Sequence, residues 1–269
     1  MRQFLVTVIV AALTASASAQ TLKRMTSEVR EPKKRSTHDR ADHADDDDDE
    51  PGFLEAMAGR LFLTAASTPF VVPRAALNDA GGAGFFPKYP YGWHNGSLLF
   101  DEDHAGAHSS LLVFQGDYGN DFDSLSQAHG RIFGERDTRI GFDSEFFYRR
   151  EQLRPGTDDL WQGDFNLTYR FAQSEHWQFR AGLGVNWLSD DRDTNFGFNT
   201  TYGAEWFPVK PWVVNSSLDW GRIGSTSLLH LRNTIGITRS GWGVYSGHDY
   251  LKIADDDIHS WIAGIEYRF

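Results

Sequence analysis

Two kinds of residue in this sequence could do chemistry: carboxylates close together, and histidines with an acid or a hydroxyl nearby. Asp191 with Asp193, and Asp121 with Asp123, stand two positions apart, a spacing that can bring two acids to one water and activate it. Asp257-Ile258-His259 sets an acid beside a base, and His108-Ser109-Ser110 sets a hydroxyl two residues from an imidazole, the start of a nucleophile and base arrangement. These spacings are simple, and acidic residues crowd the loops, so such pairs also arise from composition alone. The run Asp45 to Asp49 with Glu50 offers carboxylates that suit a divalent cation, without the spaced ligands and glycine turn of a defined calcium loop. Gly81-Gly82-Ala83-Gly84 is not followed by the lysine and hydroxyl of a phosphate loop. The chain has no cysteine, so a thiolate metal site and a disulfide frame are both excluded. No cofactor is implied.

A larger set of charged residues is defined by its period. From Ser109 onward, apolar and polar residues alternate two by two, as in strands with one apolar face. In 139–149, Ile140, Phe142, Phe146 and Tyr148 alternate with Asp143, Glu145 and Arg149; in 160–171, Trp161, Phe165, Leu167, Tyr169 and Phe171 alternate with Asp164, Asn166 and Arg170. Further strands are predicted over 177–187, with Arg180 on the polar face, 196–206 with Glu205, 212–220 with Asp219, 227–239 with Arg232, 241–252 with Asp249, and 257–269 with Glu266 and Arg268. Weaker alternation over 110–118 and 128–135 brings the count to about ten, with eight as the alternative. The apolar faces carry aromatics near their ends: Trp161, Trp177, Trp187, Trp206, Trp212, Trp220, Trp242, Trp261, Tyr267 and Phe269.

A soluble β-sandwich also alternates, but these segments run to about a dozen residues, against the usual five or six. Their aromatics sit at the ends, where two membrane interfaces would want them. The connections alternate in kind as well, with short ones near 136–138, 173–176, 208–211 and 240–241, and longer acidic or glycine-rich ones near 119–127, 151–159, 189–194, 221–226 and 254–257. The expectation is an all-β, antiparallel, up-and-down transmembrane β-barrel over 109–269. Its polar face then lines the interior. In a barrel of this size the lumen is only just wide enough for side chains to fill. Asp143, Glu145, Asp164, Glu205, Asp219, Asp249 and Glu266, with Arg149, Arg170, Arg180, Arg232 and Arg268, are therefore expected to form an ion-paired network, a wet charged channel being the other reading. His230 belongs to the same lining.

The N-terminal part reads differently. Arg2, the apolar run Phe4 to Leu13 and Ala17-Ser18-Ala19 make residues 1–19 a secretory signal cleaved before Gln20. Residues 20–50, with Lys33, Lys34, Arg35 and the acidic run, read as a disordered charged tail in the periplasm. Residues 51–108 hold an amphipathic helix, with Leu54, Met57, Ala58, Leu61, Phe62 and Ala65 at helical spacing, and then an irregular Pro/Gly-rich linker over 69–107. A net charge of −11 excludes a basic face for nucleic acid. The 14% aromatic content with 26 glycines, at a mean hydropathy of −0.46, suits an alternating barrel and not a bundle of membrane helices.

The last strand carries a resemblance. His259, Trp261, Ala263, Ile265, Tyr267 and Phe269 share one face, and the chain ends on the aromatic. This segment resembles the closing strand of bacterial outer-membrane β-barrels, whose terminal Phe and alternating aromatics form an insertion signal. The resemblance covers roughly 109–269, and what it implies is outer-membrane location, contact with outer-membrane lipid, and recognition of the C-terminal strand by the barrel-assembly machinery. The role implied is a non-enzymatic wall protein or a narrow passive channel, with a small solute or a divalent cation at the acidic loops. Two enzyme families share such barrels. Omptin-type proteases use an acidic pair and an Asp-His pair, which Asp191 and Asp193, or Asp121 and Asp123, with Asp257 and His259, could imitate, although His259 has lipid-facing parity. Lipid A deacylases use a His-x-Ser, which His108 and Ser110 match in spacing but ahead of the barrel. A surface-binding module using acidic loops is the remaining alternative.

Overall fold

The computed structural model describes residues 20–30, 67–92, 95–101, 103, 106–153 and 156–269. Helix α1 spans Thr21–Arg30. A second helix, α2, covers residues 67–76. Two short strands, β1 (Phe86–Pro87) and β2 (Ala107–His108), pair with each other. Ten long strands follow: β3 (Ser110–Asn120), β4 (Leu125–Arg136), β5 (Ile140–Leu153), β6 (Gly156–Gln173), β7 (Trp177–Ser189), β8 (Thr194–Trp206), β9 (Trp212–Ile223), β10 (Thr226–Arg239), β11 (Trp242–Ile253) and β12 (Asp256–Arg268).

These ten close on themselves, each pairing antiparallel with its chain neighbour, and β12 returns to β3 from Trp261↔Asn120 to Arg268↔Val113. Closure leaves no edge, as a wall with lipid outside requires. Ten is the larger of the two strand counts. The two weak strands, β3 and β4, run unbroken for 11 and 12 residues, because small outward residues such as Gly116, Ala128 and Gly130 dilute their alternation without breaking the ladder.

The wall is inside-out relative to a soluble protein. Phe142, Phe146, Phe165, Leu167, Leu183, Val185, Ile235, Val244 and Ile265 are exposed, whereas Arg149, Arg170, Gln178 and Asp249 are fully buried. Trp161, Trp187, Trp220 and Trp261 lie towards one end of the outer surface; Trp177, Trp206, Trp212, Trp242, Tyr267 and Phe269 lie at the other. The second end, called here the terminal end, also carries the start of β3, the close of β12 and the turns at 137–139, 174–176, 207–211 and 240–241. The first end, the loop end, carries 121–124, 190–193, 224–225 and 254–255, and the end of β5 where Leu153 pairs with Gly156. Here the structure departs from expectation: those connections are as short as the others. The polar residues that suggested long loops continue the ladders, so that β6 reaches 18 residues. Leu167, mid-strand and 63% exposed, is expected to tolerate Val, whereas Leu167→Arg should destabilise the inserted barrel by about 2–4 kcal/mol if it lies near a bilayer midplane, read as a lower urea midpoint in lipid vesicles.

The disordered tail is corrected for residues 21–30, which form α1. Leu22, Met25, Thr26 and Val29 recur every three or four residues on one helical face and are buried. The helix lies in the loop-end mouth, opposite the terminal end, where a periplasmic tail would lie. The rest of that segment, and the predicted helix over 54–65, fall outside the described residues. The irregular linker is corrected in part: α2 lies outside the wall, with Phe70 packed edge-on at 5.1 Å from Phe171 and Pro69 O accepting the Tyr202 hydroxyl at 2.9 Å. Residues 77–92 and 95–99 turn inward, and Phe85 bridges Leu99.

Candidate functional site: a lumen closed in three layers

At the loop end, the inward positions of seven strands are apolar: Leu125, Leu160, Leu188, Ile223, Leu228, Leu251, Ile253 and Ile258. They break the polar-inside rule and have a matching partner, the Leu22, Met25 and Val29 face of α1, with which they form one buried cluster. Polar groups at the rim fix the helix. Arg24 reaches Asp256 at 2.9 Å, Arg30 pairs with Asp190, and Thr226 Oγ1 donates to Glu28 O at 3.0 Å. Burial pushes the Asp190 carboxyl up, but the N–H groups of Arg192 and Asp193 and the Arg30 guanidinium outweigh it and hold the group below its usual range.

The middle layer is charged. Asp249 accepts from His230 Nε2 at 2.9 Å and Arg232 Nη1 at 3.0 Å, and Arg149 Nη2 lies 3.4 Å from its other oxygen. Asp117 Oδ2 gathers His129 Nδ1 and the Tyr245 hydroxyl, each at 2.7 Å, together with Arg232. Arg131 grips Asp143 with two N–H groups, at 2.7 and 2.5 Å, and sits 3.3 Å from Glu145. Below them Arg170 Nη1 and Arg180 Nε each stand 2.5 Å from Glu135. Arg180 also reaches Glu205 at 3.5 Å, while Arg268 pairs with Glu205 and with Glu266, the latter at 3.1 Å. The forked guanidinium suits this layer because one arginine can satisfy two carboxylates. Asp164 and Asp219 are served by amides instead: Asn166 donates to Asp164 at 2.9 Å and Asn199 to Asp219 at 3.2 Å.

The third layer closes the terminal end. Residues 77–92 and 95–99 enter the mouth and seat Phe86 and Leu98 against Leu111, Val113 and Phe133, with Phe86 5.0 Å from the Arg170 guanidinium carbon. Tyr91 covers Phe207, ring centroids 5.8 Å apart, and its hydroxyl donates to Trp212 O at 2.6 Å. Asp79 accepts two N–H groups of Arg139 at 2.6 and 2.7 Å, and Arg139 Nε donates to Gly82 O at 2.8 Å. Burial pushes the Asp79 carboxyl up, yet Arg139 and the N–H groups of Gly81 and Gln173 more than offset it, so the group lies below its ordinary value. A depressed carboxyl stabilises above its unfolded value of about 3.9 and loses that stabilisation as pH falls through the folded value. Acidification below about pH 4 should therefore release residues 79–84 in the native chain, read by hydrogen exchange at Gly81 to Gly84, and Asp79→Asn should show that exchange already at neutral pH.

Eleven of the twelve charged residues assigned to the lining are buried, and the twelfth, Arg180, joins them through Glu135 and Glu205. Sequence reasoning missed Asp117, His129, Arg131 and Glu135, which sit on the two weakly patterned strands, and Arg139, which lies in a turn. It also missed α1, for which there was a signal: Leu and Ile at inward parity on successive strand ends mean that something apolar fills the mouth. The candidate catalytic groups are not assembled. His259 Nε2 meets Asp257 at 3.0 Å and His259 Nδ1 meets His248 at 3.3 Å, but this chain of groups faces outward from the wall. Asp121 Oδ1 accepts the N–H of Asp123 and Leu125, and Asp193 Oδ1 accepts that of Thr194, which makes both acidic pairs loop braces. His108 lies in β2, paired with Phe86 at the terminal end. Among the described residues no group of three acidic or imidazole side chains is arranged to hold a metal ion.

A closed ten-stranded antiparallel wall, apolar outside and ion-paired within, is the architecture of small bacterial outer-membrane β-barrels. No protein-family model matches the chain, and no curated protein matches it. Among solved structures it is similar to the outer membrane protein Ail of Yersinia pestis, at 13% identity over 60% of this chain and 99% of that one, TM-score 0.34. It is similar also to Neisserial surface protein A, at 12% identity over 61% and 100%, TM-score 0.33, and to OprG of Pseudomonas aeruginosa, at 13% over 60% and 96%, TM-score 0.32. At such identities the likeness concerns the fold alone.

Proposed function

We propose that the chain is a non-enzymatic outer-membrane wall protein whose lumen is sealed at rest, with the loop end outside the cell and the terminal end in the periplasm. The observation that carries this reading is the succession of three filled layers. In the charged layer the cavity lined by Gln115, Arg131, Asp143, Arg180, Glu205 and Arg268 measures about 60 Å³, room for a few waters and not for a solute stream. The outward tryptophans supply the interface anchors, and β12 presents the aromatic face that barrel-assembly machinery reads. A rim protease would need Asp191 or Asp193 to face the Asp257 and His259 pair across an open cleft; that pair lies on the outer surface, and α1 occupies the mouth.

Planar-bilayer recording of the refolded chain tests the reading. A sealed lumen gives insertion without resolved current steps, whereas a narrow passive channel gives stable unitary steps, and this second result would overturn the sealed state while leaving the barrel intact.

A further inference from the structure

Helix α1 begins on a carboxylate that meets no cation among the described residues. Glu151, on the inward face of β5 and 1% exposed, accepts the N–H of Gln20 at 3.1 Å and of Thr21 at 3.0 Å on Oε1, and that of Leu22 at 3.0 Å on Oε2. The nearby basic groups are engaged elsewhere: Arg149 with Gln127, Gln162 and Asp249, Arg150 with Asp159, Arg24 with Asp256 and Arg30 with Asp190. Among the described residues the donors to Glu151 are all backbone N–H groups, and a buried anion served by neutral donors remains costly even at the favourable end of a helix dipole.

The sequence and the backbone point to the missing charge. The secretory leader read over 1–19 ends at Ala17-Ser18-Ala19, which makes Gln20 the first residue after cleavage. Gln20 also has φ of 87°, a left-handed value that costs a residue with a side chain about 1 kcal/mol or more. An N-terminal residue has no preceding carbonyl, so cutting the bond before Gln20 removes that constraint.

We propose that cleavage at Ala19–Gln20 creates the ion partner of Glu151 and thereby locks α1 into the outer mouth. In the step a signal peptidase hydrolyses the peptide bond. The water oxygen bonds to the Ala19 carbonyl carbon and leaves with it as the new carboxylate, the Gln20 nitrogen keeps the bond's electron pair and takes a proton, and at neutral pH the free amine takes a second proton to become an ammonium. That ammonium stands where the Gln20 N–H now meets Oε1, and converts a neutral contact into a charge-assisted one.

The test begins with the mass of the N-terminal peptide from protein purified out of the membrane, expected to start at Gln20 with a free amine. Another start site, or a Gln20 cyclised to pyroglutamate with loss of ammonia, overturns the proposal. Next, chain 20–269 is refolded as it stands, with Glu151→Gln, with one glycine added before Gln20, and with both changes, and trypsin is applied to each native barrel. Cleavage after Lys23 or Arg24 should accelerate about 10- to 100-fold for either change, and the double change should be no faster than the quicker single one, because both delete the same pair. Unchanged rates, or accelerations that multiply, overturn the assignment. Equal heat-modifiable migration of all four barrels shows that the wall is intact, and conductance recorded in parallel reads the sealed-lumen proposal separately.

Discussion

Replacing Asp249 with alanine is expected to destabilise the barrel by about 3–5 kcal/mol, measured as the loss of unfolding free energy in urea with the protein in detergent. The residue is fully buried, and His230, Arg232 and Arg149 all converge on its two oxygens. Arg149 keeps Gln127 at 3.1 Å and Gln162 at 2.6 Å as further partners, and Arg232 keeps Asp117. His230 is left with only the more distant Asp219, at 3.7 Å. The energy lost is mainly that of stranding positive charge out of water, and less that of three broken contacts. Asp249→Asn, which preserves shape and one acceptor, should cost less than the alanine. The comparison that isolates burial is Arg150 with Asp159, a bidentate pair at 2.7 and 3.0 Å whose side chains are 47% and 28% exposed. Breaking it should cost far less than losing Asp249, because water screens the pair, even though its geometry is the better of the two.

The same contrast between local pattern and tertiary fit explains what the sequence made legible. Strands β5 to β12 could be read because each is buried on one face against charge and exposed on the other to an apolar surroundings, so the period of two survives along their length. The lining residues followed from parity alone: once Trp161, Phe165 and Leu167 face outward, Asp164, Asn166 and Arg170 must face in. What could not be read were contacts between segments far apart in the chain. Nothing local to Asp79 reveals that Arg139, sixty positions on, will claim its carboxylate, and the charge that makes 20–50 look unable to fold says nothing about a host cavity. The apolar face of α1 is too short to hold a helix in isolation and becomes stable only inside a ring of leucines and isoleucines that ten strands must first assemble. Likewise Asp257 and His259 are neighbours in space, as their spacing suggested, but their parity placed them outside the lumen, and parity was the stronger signal.

Introducing a charge at the centre of that plug gives the other large effect. Met25 is completely buried against the apolar ring, so Met25→Asp would leave a carboxylate in an apolar layer, at a cost of several kcal/mol if the helix stayed. It need not stay, because α1 is held by three apolar side chains, the Glu151 carboxylate at its first turn and a few rim contacts, and each buried apolar side chain contributes roughly 1.5–3 kcal/mol. The expected outcome is that α1 leaves the mouth while the strand ladders remain closed. Trypsin should then cut at Lys23, Arg24 and Arg30 at the rate of an unfolded peptide, and an apolar dye should bind the uncovered ring formed by Leu125, Leu160, Leu188 and Leu251. Conductance, by contrast, should stay near zero, since the arginine and carboxylate layer and the Phe86 segment still stand behind the vacated mouth. Current steps from this variant alone would place the seal in the helix and not in the ion pairs, while protection from trypsin would mean that α1 is held by more than the face it buries.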